Sequence, residues 1–101
     1  MRNLTLNVKK KWFDMILSGV KKEEYREIKK LYINKFEKFN YVNLFDTVTF
    51  LNGMKKETPT IVIECIGISI GKAVPEWSDN WKGEVYVISL GNIISTKNVS
   101  K

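Results

Sequence analysis

The stretch GVKKEEYRE, residues 19–27, carries six charged side chains in nine positions and decides how the first third of the chain folds. It follows a segment whose large apolar residues recur at helical spacing on one face, namely Trp12, Phe13, Ile16 and Leu17. Gly19 tolerates the left-handed conformation that ends helices, so we expect the helix over 9–19 to stop there. Propensity alone would allow one helix from Lys21 to Phe39. Because the glycine interrupts that path, we favour a strand over 22–26.

A second helix is predicted immediately downstream, over residues 28–39. Its apolar residues recur about every three or four positions, which is typical of a helix that packs on a core. These residues are Ile28, Leu31, Tyr32, Phe36 and Phe39.

The remainder of the chain has the pattern of β-strands. Apolar and polar residues alternate over 4–8 and 46–53, and Val48 and Phe50 share one face of the second segment. Asn52-Gly53 then predicts a hairpin turn. A long strand follows over 60–69, with Gly67 as a candidate bulge, and the last clear strand covers 84–90. Residues 91–94 could extend that strand, whereas the polar tail 95–101 is expected to fray.

The predicted order is strand, helix, short strand, helix and three strands. With 101 residues, the chain is long enough for one domain and not two. A small mixed β-barrel of about five to six strands, closed or nearly closed, with two helices beside it, satisfies this order because closure removes exposed strand edges. We therefore predict an α+β fold over 1–101, with its core at about 2–94.

Composition excludes several kinds of chemistry. The chain has no histidine and one cysteine, Cys65, which rules out histidine-dependent triads and zinc sites rich in histidine or cysteine. No paired-aspartate motif suggests a magnesium site, so no metal and no cofactor is predicted. No segment approaches the roughly 20 apolar residues of a membrane helix, and the N-terminus has no apolar signal core. A cytoplasmic protein without a membrane partner, assumed monomeric, fits these features.

The net charge of +6 is distributed unevenly. Residues 1–38 contain eleven Lys or Arg and five Asp or Glu, so 11 − 5 = +6, whereas residues 39–101 contain six of each, so 6 − 6 = 0. Such a basic region attracts phosphates, although it also serves solubility. If nucleic acid binds, the candidate phosphate contacts are Lys9, Lys10, Lys11, Lys22, Lys29 and Lys30.

If residues 22–26 form a strand, their side chains alternate between two faces. Lys22, Glu24 and Arg26 then share one face, and Glu23, Tyr25 and Glu27 share the other. Two interpretations remain open at this point. The charges form a ladder of ion pairs in water, or one polar face lines a cavity in which Glu24 and Arg26 pair and Lys21 lies at the mouth.

The segment WFDMILSGVKKEEYREI resembles the signature of the ASCH domain family of the PUA-like superfamily. The family motif Gly-x-Lys-x-x-Glu-x-Arg is matched by Gly19, Lys21, Glu24 and Arg26 with the same spacing. The opening LTLNVKKKWF, the hairpin FLNGMKK, the loop GKAVPEW and the ending VYVISLGNII are also similar to small bacterial and phage members. The resemblance covers about residues 2–94.

This resemblance implies a PUA-like β-barrel with a ligand cleft between the barrel and the first helices. It also implies binding of RNA or a nucleotide or nucleoside, or hydrolase activity on N4-acylated cytidine or on RNA. In the amidohydrolase pattern, a lysine that matches Lys21 works with a threonine three positions on and a distal glutamate. Here Glu24 replaces that threonine, so hydrolysis would require Lys21 and Glu24 to activate a water molecule. Glu64 and Glu76 are both candidates for the distal acid.

Several other residues are candidates for the site or for the core. Asn52 is first a turn residue, although its amide could contact a base edge. Of Trp77 and Trp81, we expect one in the core and one at a pocket rim, where it could stack on a base. Trp12 and Tyr86 are predicted to pack in the core, and Tyr25 to be exposed. Glu64 faces either water or Arg26.

Three hypotheses follow for the function. The first is a binding module that holds RNA, a nucleotide or a nucleoside in a cleft bearing Lys21, Glu24 and Arg26. The second is a metal-independent hydrolase that uses Lys21 and Glu24. The third is a protein-interaction domain with a vestigial pocket.

Overall fold

The computed structural model describes residues 2–37, 45–79 and 81–99. Strand β1 spans Asn3–Asn7, helix α1 Lys10–Leu17, strand β2 Glu23–Arg26 and helix α2 Lys30–Phe36. Strand β3 spans Thr47–Leu51, strand β4 Thr60–Lys72 and strand β5 Glu84–Lys97, with a short 3₁₀ helix at Pro75–Trp77. Neither helix in these ranges is long and apolar enough to span a membrane.

The strands form one mixed sheet in the order β1-β3-β4-β5-β2. Strands β1 and β3 are parallel, and the other three pairs are antiparallel. The predicted α+β class, with five strands and two helices, is confirmed. The described strands form a half-barrel whose edges are β1 and β2, rather than a closed barrel.

The concave side of this sheet holds the main core. Helix α1 packs there through Trp12, Phe13 and Ile16, all buried, which confirms the predicted apolar face. Val48 and Phe50 of β3 are fully buried, as their alternation predicted. A second, smaller cluster on the other side joins Tyr25 with Val85 and Val87.

The helix-to-strand transition after α1 follows the prediction. Gly19 has φ +85°, in the left-handed region that favours glycine, so α1 ends at Leu17. The strand predicted at 22–26 is present as β2, which pairs with β5 from Glu23↔Ser89 to Arg26↔Tyr86. The helix that propensity alone would allow from Lys21 onward is therefore not formed at residues 23–26.

Helix α2 is shorter and less buried than predicted. It begins at Lys30 rather than Ile28, and the predicted end at Phe39 lies outside the described residues. Phe36 is fully buried against Tyr86, with ring centroids 5.0 Å apart. Leu31 is 59% exposed, contrary to the prediction, because Tyr32 and Phe36, four positions apart, form the stripe that packs.

Strands β4 and β5 extend beyond their predicted ends. Strand β4 continues to Lys72, with register shifts on both sides of Cys65 that include the predicted bulge at Gly67. The prediction of a frayed tail is wrong for residues 95–97. These polar residues pair with the start of β4, where Thr60 opposes Lys97, and their backbone pairing does not require an apolar side chain.

Candidate functional site

A cleft of about 240 Å³ opens where the two edge strands of the half-barrel face each other. We call it the edge cleft. Asn7 at the end of β1 and the two residues that follow it form one wall. Residues 24–26 of β2 and the following Glu27 form the other. The helices contribute Trp12 and Tyr32, and Lys29 lies just before α2. The segment between β4 and β5 contributes residues 77–79 and Trp81.

Glu24 lies at the centre of this site and is buried. Its Oε2 accepts hydrogen bonds from Arg26 Nε at 3.1 Å and from Arg26 Nη2 at 2.8 Å. Its Oε1 lies 3.4 Å from Lys21 Nζ. One carboxylate thus pairs with two cations, and its burial makes this network different from the surface ion-pair ladder that the sequence left open.

Arg26 connects three elements of the fold at the cleft. Besides Glu24 of β2, its guanidinium donates through Nη2 to the Asn7 carbonyl of β1 at 3.0 Å, and through Nη1 to the Tyr32 hydroxyl of α2 at 3.0 Å. Four hydrogen bonds use four of the five N–H groups that a guanidinium carries. Among the described residues, one Nη1–H is left to a ligand.

Lys21 occupies a different place from the one predicted. Its side chain is 1% exposed, and Nζ donates to the Trp77 backbone carbonyl at 2.6 Å. Nζ also lies 4.7 Å from the Tyr25 ring centroid and 5.2 Å from that of Trp12, within the range of cation–π attraction. Lys21 therefore lies behind the cleft wall and not at its mouth, because the loop at Trp77 covers it.

The surroundings of Lys21 act on its pKa in opposite directions. The dominant effect is burial, which removes water from the ammonium group and lowers the pKa of Lys21. The nearby Glu24 carboxylate acts in the opposite direction and raises the pKa. A lowered lysine pKa suits a general base, but Nζ is occupied by a carbonyl and a carboxylate. A base must reach the proton that it abstracts, and this amine faces the interior.

The sequence prediction that Tyr25 is exposed is wrong. Tyr25 is buried, because it packs with Val85 and Val87 in the small cluster on the second face of the sheet. Its hydroxyl donates to Glu23 Oε1 at 2.6 Å and accepts from the Val74 amide at 3.1 Å. Burial, followed by the bond to Glu23, raises the pKa of Tyr25, so this hydroxyl stays protonated at neutral pH.

Asp79 joins the loop to helix α1. Its Oδ2 accepts from Lys9 Nζ at 3.0 Å and from the Trp12 indole at 3.4 Å. The bond from Lys9 lowers the pKa of Asp79 below its usual value. Asp79 was not among the predicted site residues, although an acid between two loop tryptophans in a chain with a basic N-terminal region was an available signal. Tyr32 and Asn7 were not among them either, because no local pattern indicated a role in the site.

The predicted tryptophans meet at this site. Trp77 is half-buried and packs on the small cluster, whereas Trp81 is 39% exposed, so one is at the core and one at the rim as predicted. Trp12 is buried as predicted and also forms part of the cleft wall. All three tryptophans of the chain therefore line the edge cleft.

The other predicted ligand-binding residues lie outside the cleft. Asn52 donates from its side chain to the Val8 carbonyl at 2.9 Å, which is a structural role next to the turn. Glu64 is exposed and accepts from the Asn92 amide at 2.8 Å, so it faces away from Arg26. Glu76 is exposed and does not line the cleft. Gly19 lines a separate pocket at the end of α1. Neither candidate distal acid therefore reaches the Glu24 network.

The predicted phosphate contacts are divided between several surfaces. Lys9 and Lys29 line the edge cleft. Lys10 pairs with Asp14 at 2.6 Å, and Lys11 lies 4.6 Å from the Trp12 ring centroid. Lys22 lines the pocket at the end of α1. Lys30 is exposed at the start of α2 and is not part of the cleft wall.

The lining of the cleft carries balanced charge and many aromatic rings. Lys9, Arg26 and Lys29 oppose Glu24, Glu27 and Asp79, so 3 − 3 = 0. Trp12, Tyr25, Tyr32, Trp77 and Trp81 supply five aromatic side chains. Within the described ranges, no three acidic or cysteine side chains come close enough to hold a metal ion. The cleft therefore suits a flat, weakly charged ligand better than a bare phosphate.

Comparison of this chain with models of protein families, with curated proteins and with solved structures finds no match.

Proposed function

We propose that this protein is a nucleobase-binding module, a PUA-like domain of the ASCH type that holds a base of RNA, of a nucleotide or of a nucleoside in the edge cleft. The observation that carries the proposal is the convergence of all three tryptophans on one cleft beside the Glu24–Arg26 pair. Every nucleobase offers a π-face, and stacking on aromatic side chains is a common way to bind it.

The size of the cleft agrees with a small ligand. Pockets for drug-sized molecules occupy about 300–1,000 Å³. The edge cleft, with about 240 Å³, falls below that range and fits a fragment of base or nucleoside size. Its polar groups include the Nη1–H of Arg26 as a donor and the carboxylates of Glu27 and Asp79 as acceptors, which suits the mixed donor and acceptor edge of a base.

Binding is better supported than catalysis. The two residues that a hydrolase of this type would use are Lys21 and Glu24, and both are buried with their charged atoms engaged. The Thr hydroxyl of the amidohydrolase pattern has no counterpart at position 24. Hydrolysis of N4-acetylcytidine that disappears in Lys21→Ala would make the hydrolase the better account.

Trp81→Ala tests the proposal at the exposed side of the cleft. We expect the affinity for nucleosides or short RNA to fall by about 1–3 kcal/mol, which is the usual contribution of one base–aromatic stack. The change in folding stability should stay within about 0.5 kcal/mol because Trp81 is 39% exposed. Titration with each ribonucleoside and with a ten-nucleotide RNA, followed by the fluorescence of the remaining tryptophans, measures the effect.

Ile94→Ala provides a matched control for this variant. Ile94 is also exposed, at 56%, but it lies on β5 outside the cleft. The Ile94→Ala variant should bind the nucleosides and the RNA with the affinity of the wild type. Equal affinities of Trp81→Ala and the wild type for every ligand that binds would contradict stacking in the cleft.

A further inference from the structure

A second groove, formed by the β3–β4 hairpin and the end of β5, has a positively charged lining, whereas the lining of the edge cleft has no net charge. We call it the basic groove, and it encloses about 300 Å³. Its lining includes Lys55, Lys56 and Lys97 and no acidic residue, so its charge is +3, against 3 − 3 = 0 in the edge cleft. All three lysines are exposed. They lie in residues 39–101, which carry no net charge, so the sequence gives no sign of a basic patch there.

The backbone around the basic groove is held in place by buried and part-buried polar side chains. Thr58, 9% exposed, donates from its hydroxyl to the Lys55 carbonyl. Asn98 donates from its side chain to the Thr58 carbonyl at 3.3 Å, which ties the end of β5 to the hairpin. The hydroxyl of Thr60 donates to the same carbonyl at 2.9 Å. The lysines therefore project from a fixed frame rather than from a free loop.

Asn7 contacts both the basic groove and the edge cleft. Its backbone carbonyl accepts from Arg26 in the cleft. Its side-chain amide donates to the Gly53 carbonyl at 2.7 Å, and its Oδ1 accepts from the Gly53 amide at 3.3 Å. The hairpin tip that carries Lys55 and Lys56 is thus anchored to the wall of the cleft.

From this division of charge we propose that the basic groove binds the phosphodiester backbone of a single-stranded nucleic acid whose base occupies the edge cleft. The preferred ligand is then an oligonucleotide and not a free nucleoside. This inference rests on the proposed function, and it assigns the backbone to a surface other than the N-terminal lysines. Lysines bind phosphates as point charges and release counterions when they do so.

A triple variant, Lys55→Ala with Lys56→Ala and Lys97→Ala, tests the groove. A matched control removes three exposed lysines that line neither site and are not candidate phosphate contacts, at Lys35, Lys72 and Lys82. The probes are ten-nucleotide single-stranded RNA and DNA of the same sequence and the free ribonucleosides, over a series of salt concentrations. For the groove variant we expect the slope of log affinity against log salt to become shallower by about 2, since each phosphate contributes about 0.7 on a single strand. Its nucleoside affinity should equal that of the wild type.

The outcomes separate this inference from the proposed function. If the groove variant and the control variant lose oligonucleotide affinity equally, or if neither loses any, the groove inference is overturned while nucleoside binding in the cleft can still stand. If the groove variant loses oligonucleotide affinity but Trp81→Ala does not, the groove is upheld and the proposed function fails. If the groove variant loses salt dependence equally for RNA and for DNA, the backbone alone is the recognised group. If it does so for RNA only, the 2′-hydroxyl is recognised as well; either result supports the groove.

Discussion

Replacement of Glu24 by glutamine is expected to lower the free energy of unfolding by about 3 kcal/mol, near the lower end of the cost of removing one partner from a buried ion pair. The amide keeps the shape of the side chain but carries no charge. Lys21 and Arg26, whose side chains are 1% and 19% exposed, then lose the one carboxylate that pairs with both. Urea denaturation followed by fluorescence measures the change.

Two further variants make this result specific to the buried network. Glu27→Gln removes an exposed acid next to the same strand and should stay within about 0.5 kcal/mol of the wild type. Adding Lys21→Met to Glu24→Gln removes one uncompensated cation, so the double variant should be more stable than Glu24→Gln alone. A Glu24→Gln protein as stable as Glu27→Gln would refute the buried network.

The second large effect is expected for Arg26→Lys, which keeps the charge and removes the planar fork. Four hydrogen bonds from the guanidinium reach Glu24, Asn7 and Tyr32, and a lysine ammonium cannot span all three. We expect a loss of about 2 kcal/mol in unfolding free energy, since hydrogen bonds to charged groups contribute about 1.5–3 kcal/mol each and some are retained. Ligand affinity should fall as well, because β1, β2 and α2 are no longer tied together around the cleft.

Lys29→Arg is the matched control for this exchange. It swaps the same two residue types in the reverse direction, and Lys29 also lines the cleft. The unfolding free energy and the nucleoside affinity of Lys29→Arg should both be close to those of the wild type. Wild-type stability and affinity in Arg26→Lys would mean that the arginine network does not shape the cleft.

The part of the site that follows from local pattern was predictable from the sequence. Gly19 ends α1, and alternation in the strand that follows puts Glu24 and Arg26 on the same face. Their pairing follows from opposite charge at that spacing, and the structure has it at 2.8 Å. Short-range rules of helix termination and strand alternation are sufficient for these features.

The features that were mispredicted depend on contacts between distant parts of the chain. Lys21 is buried because the carbonyl of Trp77, 56 positions away, lies over its ammonium group. Tyr25 is buried because Ala73, Val74 and Trp77 pack against the cluster that it forms with Val85 and Val87, and nothing in the charged stretch itself indicates those partners. The basic groove likewise requires Lys97 to meet the β3–β4 hairpin, which is set by the pairing of Thr60 with Lys97.

The most direct test of base binding in the edge cleft is to follow the three tryptophan indole N–H signals of ¹⁵N-labelled protein by NMR. The ligands are the four ribonucleosides and the ten-nucleotide RNA, added in turn. Because Trp12, Trp77 and Trp81 all line the cleft, we expect every ligand that binds to shift all three signals together. If none of these ligands shifts any indole signal, or if shifts occur only at residues outside the edge cleft, base binding in the edge cleft is contradicted.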